Sequence, residues 1–225
     1  MKNHRSISRT VCYIQYRLFY YFSMQILKIL WRIHMNYTTK SIINHRSIWN
    51  YLKKEVPMEM IESIIEAAMA MSTSIDGQEL SVMVIKDDAL KLSLASLAGD
   101  NNWLVQAPLF LMFVVDVSKS AKLSSKNDMD GIKNEDLTEI VRGTFECGMA
   151  MGAAVVAAES MGLGVVPLES LIMNSEAARL LKLAKLTFVG SGLVVGYPAG
   201  QSKQKPRISL NTFIQNETYQ MNAVE

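Results

Sequence analysis

From Phe145 to Met161 the chain reads FECGMAMGAAVVAAESM, and Glu146 and Glu159 are its only charges. A helix of that composition has no polar face, so it must be buried nearly all round. The pattern predicts a helix from about 135 to 161. "GLG" at 162–164 ends it, because glycine accepts the left-handed cap. A chain of 225 residues buries one good-sized core, and this helix has to run through it.

Partners for that helix are legible on both sides of it. Residues 38–46 make a short helix candidate ending near His45-Arg46-Ser47. Pro57 suits a first helical turn, with Glu59 and Glu62 early and Ile61, Ile64, Ile65, Ala68 and Met69 at helical spacing. "STSIDGQ" at 72–78 is loop chemistry, small hydroxyls before a Gly turn. "LSVMVIK" (80–86) predicts a strand, 87–98 a helix and "PLFLMFVVD" (108–116) a buried strand. Residues 117–134 are polar and loop-like. "LTFVGSGLVVGYP" (186–198) predicts another apolar strand, followed by the basic loop "QSKQKPR". Few strands separated by long helices give an α+β or mixed-sheet α/β body, placed at 35–225. The fifteen methionines serve it as adaptable core filler.

Residues 1–34 differ in kind. They hold Lys2, Arg5, Arg9, Arg17, Lys28 and Arg32 and no acid, in a chain of net charge +2, so the remainder is mildly acidic. That balance argues against a nucleic-acid partner, which needs a clustered basic face. The apolar run Leu18–Leu27 is broken by Lys28 and precedes no small-residue cleavage site. It is also too short and too charged to span a bilayer. We read 1–34 as an extension upstream of a start at Met35, with no role in the fold. The alternative is an interfacial basic helix, and a membrane is not the expected partner. Cys12 and Cys147 make no disulfide framework, and three His without a Cys cluster suggest no metal site. The expected compartment is the cytoplasm.

Nothing in the chain resembles a Walker loop, a nucleophile elbow or a Ser/His/Asp set. "GSGLVVG" (190–196) lies inside a strand and runs into Tyr197-Pro198. It is therefore no dinucleotide fingerprint, which must open a helix. If the chain is an enzyme, a cofactor carries its chemistry. Three separated features suit one anion and one flat ring. His45-Arg46-Ser47 offers a guanidinium and a hydroxyl, and Lys205-Pro206-Arg207 offers two cations on a stiff segment. Ser72-Thr73-Ser74, with Gln78, offers hydroxyls and an amide without bulk. Cations with hydroxyls suit phosphate, each charge-assisted bond being worth about 1.5–3 kcal/mol.

The order of these motifs is more specific than any one of them. "HRSI", "STSxxxQ", "QAPLFLMFVVD", "AAESMGLG", "GYP…KPR" and a closing "NETY" (216–219) resemble the nitroreductase family of FMN flavoproteins over most of residues 38–219. The similarity is greatest to its oxygen-insensitive nitroreductase and NADPH-dependent flavin reductase branch. The resemblance implies an α+β three-layer sandwich with a central mixed, mostly antiparallel sheet. It also implies an intertwined homodimer with FMN at the interface, and a second copy is what the apolar helix calls for. Arg46, Ser47, Lys205 and Arg207 would hold the FMN phosphate, with His45 beside it. Ser72, Thr73 and Ser74 would approach the ribityl chain or ring from the partner subunit, with Gln78 supporting that loop. Asn101 sits where the family places an amide on the flavin pyrimidine edge. Pro167, Leu168 and Glu169 of "PLES" would lie along the dimethylbenzene-to-N5 side, a backbone N–H toward N5. No side chain is implied as catalyst, since flavin N5 carries the chemistry, and Glu169 is the one carboxylate implied near the ring.

Two departures from the family pattern stand out. Trp49 occupies the position where a cation usually sits near flavin N1. At roughly 4 Å and a surface-like dielectric such a cation is worth up to ~4 kcal/mol toward a reduced, anionic N1. Either another cation, with Lys203 as candidate, takes over, or the potential is tuned differently. "PLES" also replaces the "Tyr-Ile-Gly-Gly" of the closest branch, and the segment after Arg207 leaves little room for the NADPH-binding elements found there. The implied function is FMN-dependent, NAD(P)H-driven reduction of nitroaromatics, quinones or flavins by ping-pong hydride transfer. The alternative is an FMN-binding protein without turnover, storing flavin or sensing redox, which Trp49 encourages.

Overall fold

The computed structural model describes residues 20–23, 36–74, 78–119 and 137–219. Most of the basic head and residues 120–136 of the polar loop region lie outside them. The chain divides into two units, 1–43 and 44–225. In the first, α1 (Tyr37–Ile43) starts at Asn36, whose side-chain oxygen accepts the Thr39 N–H at 2.9 Å.

The second unit holds α2 (Met58–Met69), β1 (Leu80–Ile85), α3 (Asp88–Leu97), α4 (Asn102–Gln106) and β2 (Leu109–Asp116). It continues with α5 (Leu137–Ser160), β3 (Gly164–Leu168), α6 (Ser175–Leu180), β4 (Thr187–Gly196) and α7 (Leu210–Phe213). The strands form one sheet in the order β1-β2-β4-β3, and every neighbouring pair is antiparallel. The expected antiparallel character is therefore present, and no parallel pair occurs among the described strands.

The unbroken apolar run of β2 has a geometric cause. Successive side chains of a strand point to opposite faces, and both faces of this sheet are covered. Leu109, Leu111, Phe113 and Val115 pack with Ile61 and Ile64 of α2 and Ala150 and Ala154 of α5. Phe110, Met112 and Val114 pack on the other side with Leu94 of α3, Leu104 of α4 and Ala177 of α6. Three layers follow, helices on each face of a central sheet. Burying each large side chain contributes about 1.5–3 kcal/mol.

The glycines of "GSGLVVG" serve this packing. A Cβ on Gly190 would stand 2.7 Å from the Cys147 sulfur, and one on Gly192 would stand 2.6 Å from the Phe110 ring. Glycine lets α5 and Phe110 close onto β4 here. The segment is strand throughout, as its rejection as a dinucleotide loop requires.

Helix α5 departs from the expectation of burial nearly all round. Cys147, Ala150, Ala154 and Ala158 form a buried face of small residues that lies close on the sheet. On the other side Val141 is 59% and Phe145 65% exposed, and Gly148 and Gly152 face open space. Among the described residues Ile140–Ser160 is the one stretch long and apolar enough to cross a membrane. Its packed face and the buried, hydrogen-bonded Glu146 make it a core helix with one side uncovered.

Some local structure lay beneath sequence periodicity. α4, β3 and α6 were not expected, being five, five and six residues long, too short to show a period. β3 also contains Pro167, which a sheet tolerates because this strand is at the edge. α1 stops at Ile43, so His45-Arg46-Ser47 lies in extended chain rather than at a helix end as expected. Of the loop expected at 117–134 only residues 117–119 are described.

Candidate functional site

The extended segment 45–51 is held against the edge of the sheet at several points. Ile48 donates its N–H to the Val165 carbonyl at 3.0 Å. Its side chain fills the space above Gly164, where a Cβ would come within 2.5 Å of it. Tyr51 bridges to Pro198, and its buried hydroxyl donates to the Ile48 carbonyl at 2.6 Å. Burial raises the Tyr51 phenol well above its usual range, so it stays a donor. At the other end His45 Nδ1–H donates to Glu159 Oε1 at 2.6 Å, tying the segment to the last turn of α5. His45 was expected beside a phosphate, and here its Nδ1 is engaged by a carboxylate. Arg46 points to solvent and Ser47 is half-buried.

From this segment an aromatic wall extends toward α4. The rings of Trp49 and Trp103 meet edge to face, 5.0 Å between centroids at 86°. Trp103 Nε1–H donates to Asn101 Oδ1 at 3.2 Å, and Asn101 Nδ2 donates to the Ala98 carbonyl at 2.7 Å. Ser170, next to Glu169, reaches the same carbonyl at 3.4 Å. The turn that aims Asn101 uses two left-handed residues, Gly99 (φ 90°) and Asp100 (φ 56°). Asn101 begins α4 but makes no side-chain cap, so its amide is fixed by Trp103 and Ala98 instead.

The basic loop meets the same wall. Lys205 Nζ stands 5.9 Å from the centroid of Trp49. Arg207 is exposed and folds back on the carbonyls of Lys205 and Pro206 at 3.4 Å. The cation over Trp49 is thus Lys205. In "PLES", Leu168 is buried in the core and its carbonyl accepts from Ser191 at 3.3 Å. Pro167 is half-buried and Glu169 exposed at the end of β3, so what Leu168 can offer a ligand is backbone.

Ser72, Thr73 and Gln78 belong to a different place. They line a cavity of about 320 Å³ on the α2/α5 side of the sheet, with Ile65, Glu146 and Lys119. Ser74 N–H donates to Glu146 Oε1 at 2.6 Å. Gln78 closes the loop in a left-handed conformation, φ 47°. Residues 75–77 lie outside the described residues.

Within one chain, then, Trp49, Asn101 and Lys205 come together with Ser170, while Ser72, Thr73 and Gln78 line a separate cavity. Sequence reasoning missed Trp103, Tyr51 and the His45–Glu159 pair. Trp103 was within reach, two residues from Asn101. The bridge of Tyr51 to Pro198 and the His45–Glu159 pair join distant segments and leave no local signal.

Residues 42–197 match the nitroreductase family. The chain belongs to the nitroreductase family. Among its relatives is an FMN reductase [NAD(P)H] of Bacillus subtilis, 39% identical over 82% of this chain and 75% of that one. The nitroreductase-family fold also superposes on NfrA2 of B. megaterium, with TM-score 0.79 and 36% identity over 84% of this chain and 77% of that one. A third relative is the NADPH:FMN oxidoreductase of Vibrio harveyi, solved in complex with NAD+. It gives TM-score 0.75 at 28% identity, covering 82% and 79% of the two chains.

Proposed function

We propose that this protein is an FMN-dependent NAD(P)H oxidoreductase that works as a homodimer. It passes reducing equivalents to small electron acceptors, among them nitroaromatics, quinones and free flavin. The observation that carries the reading is the run of contacts from Lys205 through Trp49 and Trp103 to Asn101. It joins three segments remote in sequence into one wall with a cation, two indole rings and an amide.

The donor set fits FMN. Arg46, Lys205 and Arg207 are exposed cations with no ion pair among the described residues, and Ser47 adds a hydroxyl. Cations and a hydroxyl are the residue types that suit a phosphate monoester. The Trp pair suits a ring, and the Asn101 amide suits its polar edge. When bound, FMN supplies reversible hydride exchange with a nicotinamide. The chain's own part would be placement: Trp49 would lie beside the ring, Arg46, Lys205 and Arg207 would hold the phosphate, and Pro167–Glu169 would offer backbone.

The homodimer reading rests on two exposed apolar surfaces. One is the uncovered side of α5 with Val141 and Phe145; the other is the segment beyond Arg207, where Ile208, Leu210, Phe213 and Ile214 are exposed. A partner subunit covering α5 would also bring its Ser72–Ser74 loop, remote from the Trp49 wall within one chain, to the cofactor. The free, buried Cys147 is in keeping with a reducing cytoplasm.

A second reading, flavin storage or redox sensing without turnover, is favoured by Trp49 in place of a cation. One experiment separates the two. The purified protein should be yellow, and anaerobic NADPH or NADH should bleach it within seconds. A yellow protein that neither donor bleaches is a storage or sensor protein. A colourless protein that FMN cannot reconstitute ends both readings.

A further inference from the structure

We propose that Arg142 and Glu146 of α5 form a two-point clamp on Ser74 and Glu79, with Glu146 as the residue that positions Ser72–Ser74. The inference builds on the cofactor reading but stands on its own contacts. Glu146 Oε1 accepts the Ser74 N–H at 2.6 Å. One helical turn earlier, Arg142 grips Glu79, with Nη2 2.8 Å from Oε1 and 2.9 Å from Oε2. Residues four apart share a face of a helix, so one face of α5 holds both Ser74 and Glu79.

The burial of Glu146 is otherwise unaccounted for. It is 4% exposed, within an apolar stretch of helix. Its Oε2 is buried and has no hydrogen-bond partner among the described residues. A carboxylate with half its acceptor capacity unused is a poor stabiliser, and an apolar side chain would pack there at lower cost. What a carboxylate supplies, and an apolar residue does not, is a charge-assisted acceptor aimed at a backbone N–H. Ser72–Ser74 needs such a tether because the space beneath Ser72 and Thr73 is cavity rather than packed side chains.

Glu146→Asp keeps the charge and withdraws the oxygen by one methylene; Glu146→Gln keeps the reach and one acceptor oxygen. Hydrogen exchange at the amides of 72–74 in the apoprotein, referenced to the amides of β2, reports the tether directly. Glu146→Asp should accelerate exchange at 72–74 about tenfold and weaken FMN binding by a similar factor. Glu146→Gln should stay within about threefold of the parent in both. Unchanged exchange in Glu146→Asp overturns the proposal. So does equal acceleration in β2, which would make Glu146 a residue of general stability, or a Gln variant as loose as the Asp variant. If the parent protein does not bind FMN, the cofactor reading falls, while exchange in the apoprotein still decides the clamp.

Discussion

Lys205 reaches over the ring of Trp49, its Nζ 5.9 Å from the centroid. The residue that departs from the family pattern by lacking a charge therefore borders on a charge supplied from elsewhere in the chain. Through Trp103 the same indole is linked to Asn101, so position 49 joins the basic loop to the amide.

Replacing Trp49 by Arg tests what the indole does to the flavin. A cation there favours the reduced, anionic ring, so the midpoint potential should rise. Trp49 is 38% exposed, and screening cuts the gain to about 1–2 kcal/mol, or roughly 20–40 mV for two electrons. Spectroelectrochemical titration reads this, and an unchanged potential would place position 49 away from the flavin.

The Glu79–Arg142 pair should behave as a buried ion pair. Glu79 is 1% exposed and accepts two bonds from Arg142 Nη2. Arg142→Ala removes the cation bonded to a buried carboxylate and should cost about 3–5 kcal/mol in urea unfolding. Glu79→Gln combined with Arg142→Met should recover most of that, because no uncompensated charge remains.

Gly192→Ala should destabilise the protein by about 1–3 kcal/mol through overpacking against Phe110. NAD(P)H affinity should be unaffected, since β4 passes through the core there. Thermal unfolding and a nicotinamide titration check both halves. A large loss of nicotinamide affinity with normal stability would restore the dinucleotide reading of this segment.

Cys147 lies under the sheet, and burial pushes its thiol up from 9.0 to about 11. In a Cys12→Ser background it should resist iodoacetamide at pH 8 while folded and react once unfolded. The folded state favours the neutral thiol. Its contribution to stability is therefore complete below about pH 9 and is lost as pH rises through about 11. A contribution that grew with pH across that window would contradict the burial argument.

Much of the molecule was legible before its structure. β2 and β4 stood out because strands buried on both faces are apolar without interruption. The cations of the site stood out by type and order. Edge strand β3 and helices α4 and α6 did not, since elements of five or six residues carry no period. Glu146 was visible as one of two charges in an apolar helix, yet its role was not, because its partner is on another element.

The sequence by itself determined the longer elements, the family and the supply of cations, hydroxyls and amides, since these depend on residue type and local spacing. Only the tertiary structure decided who meets whom: Lys205 with Trp49, His45 with Glu159, Glu146 with Ser74. Each pair joins segments far apart along the chain, and no local pattern encodes their meeting. The shared core brings them together, once β2 and β4 have drawn helices onto both faces of the sheet.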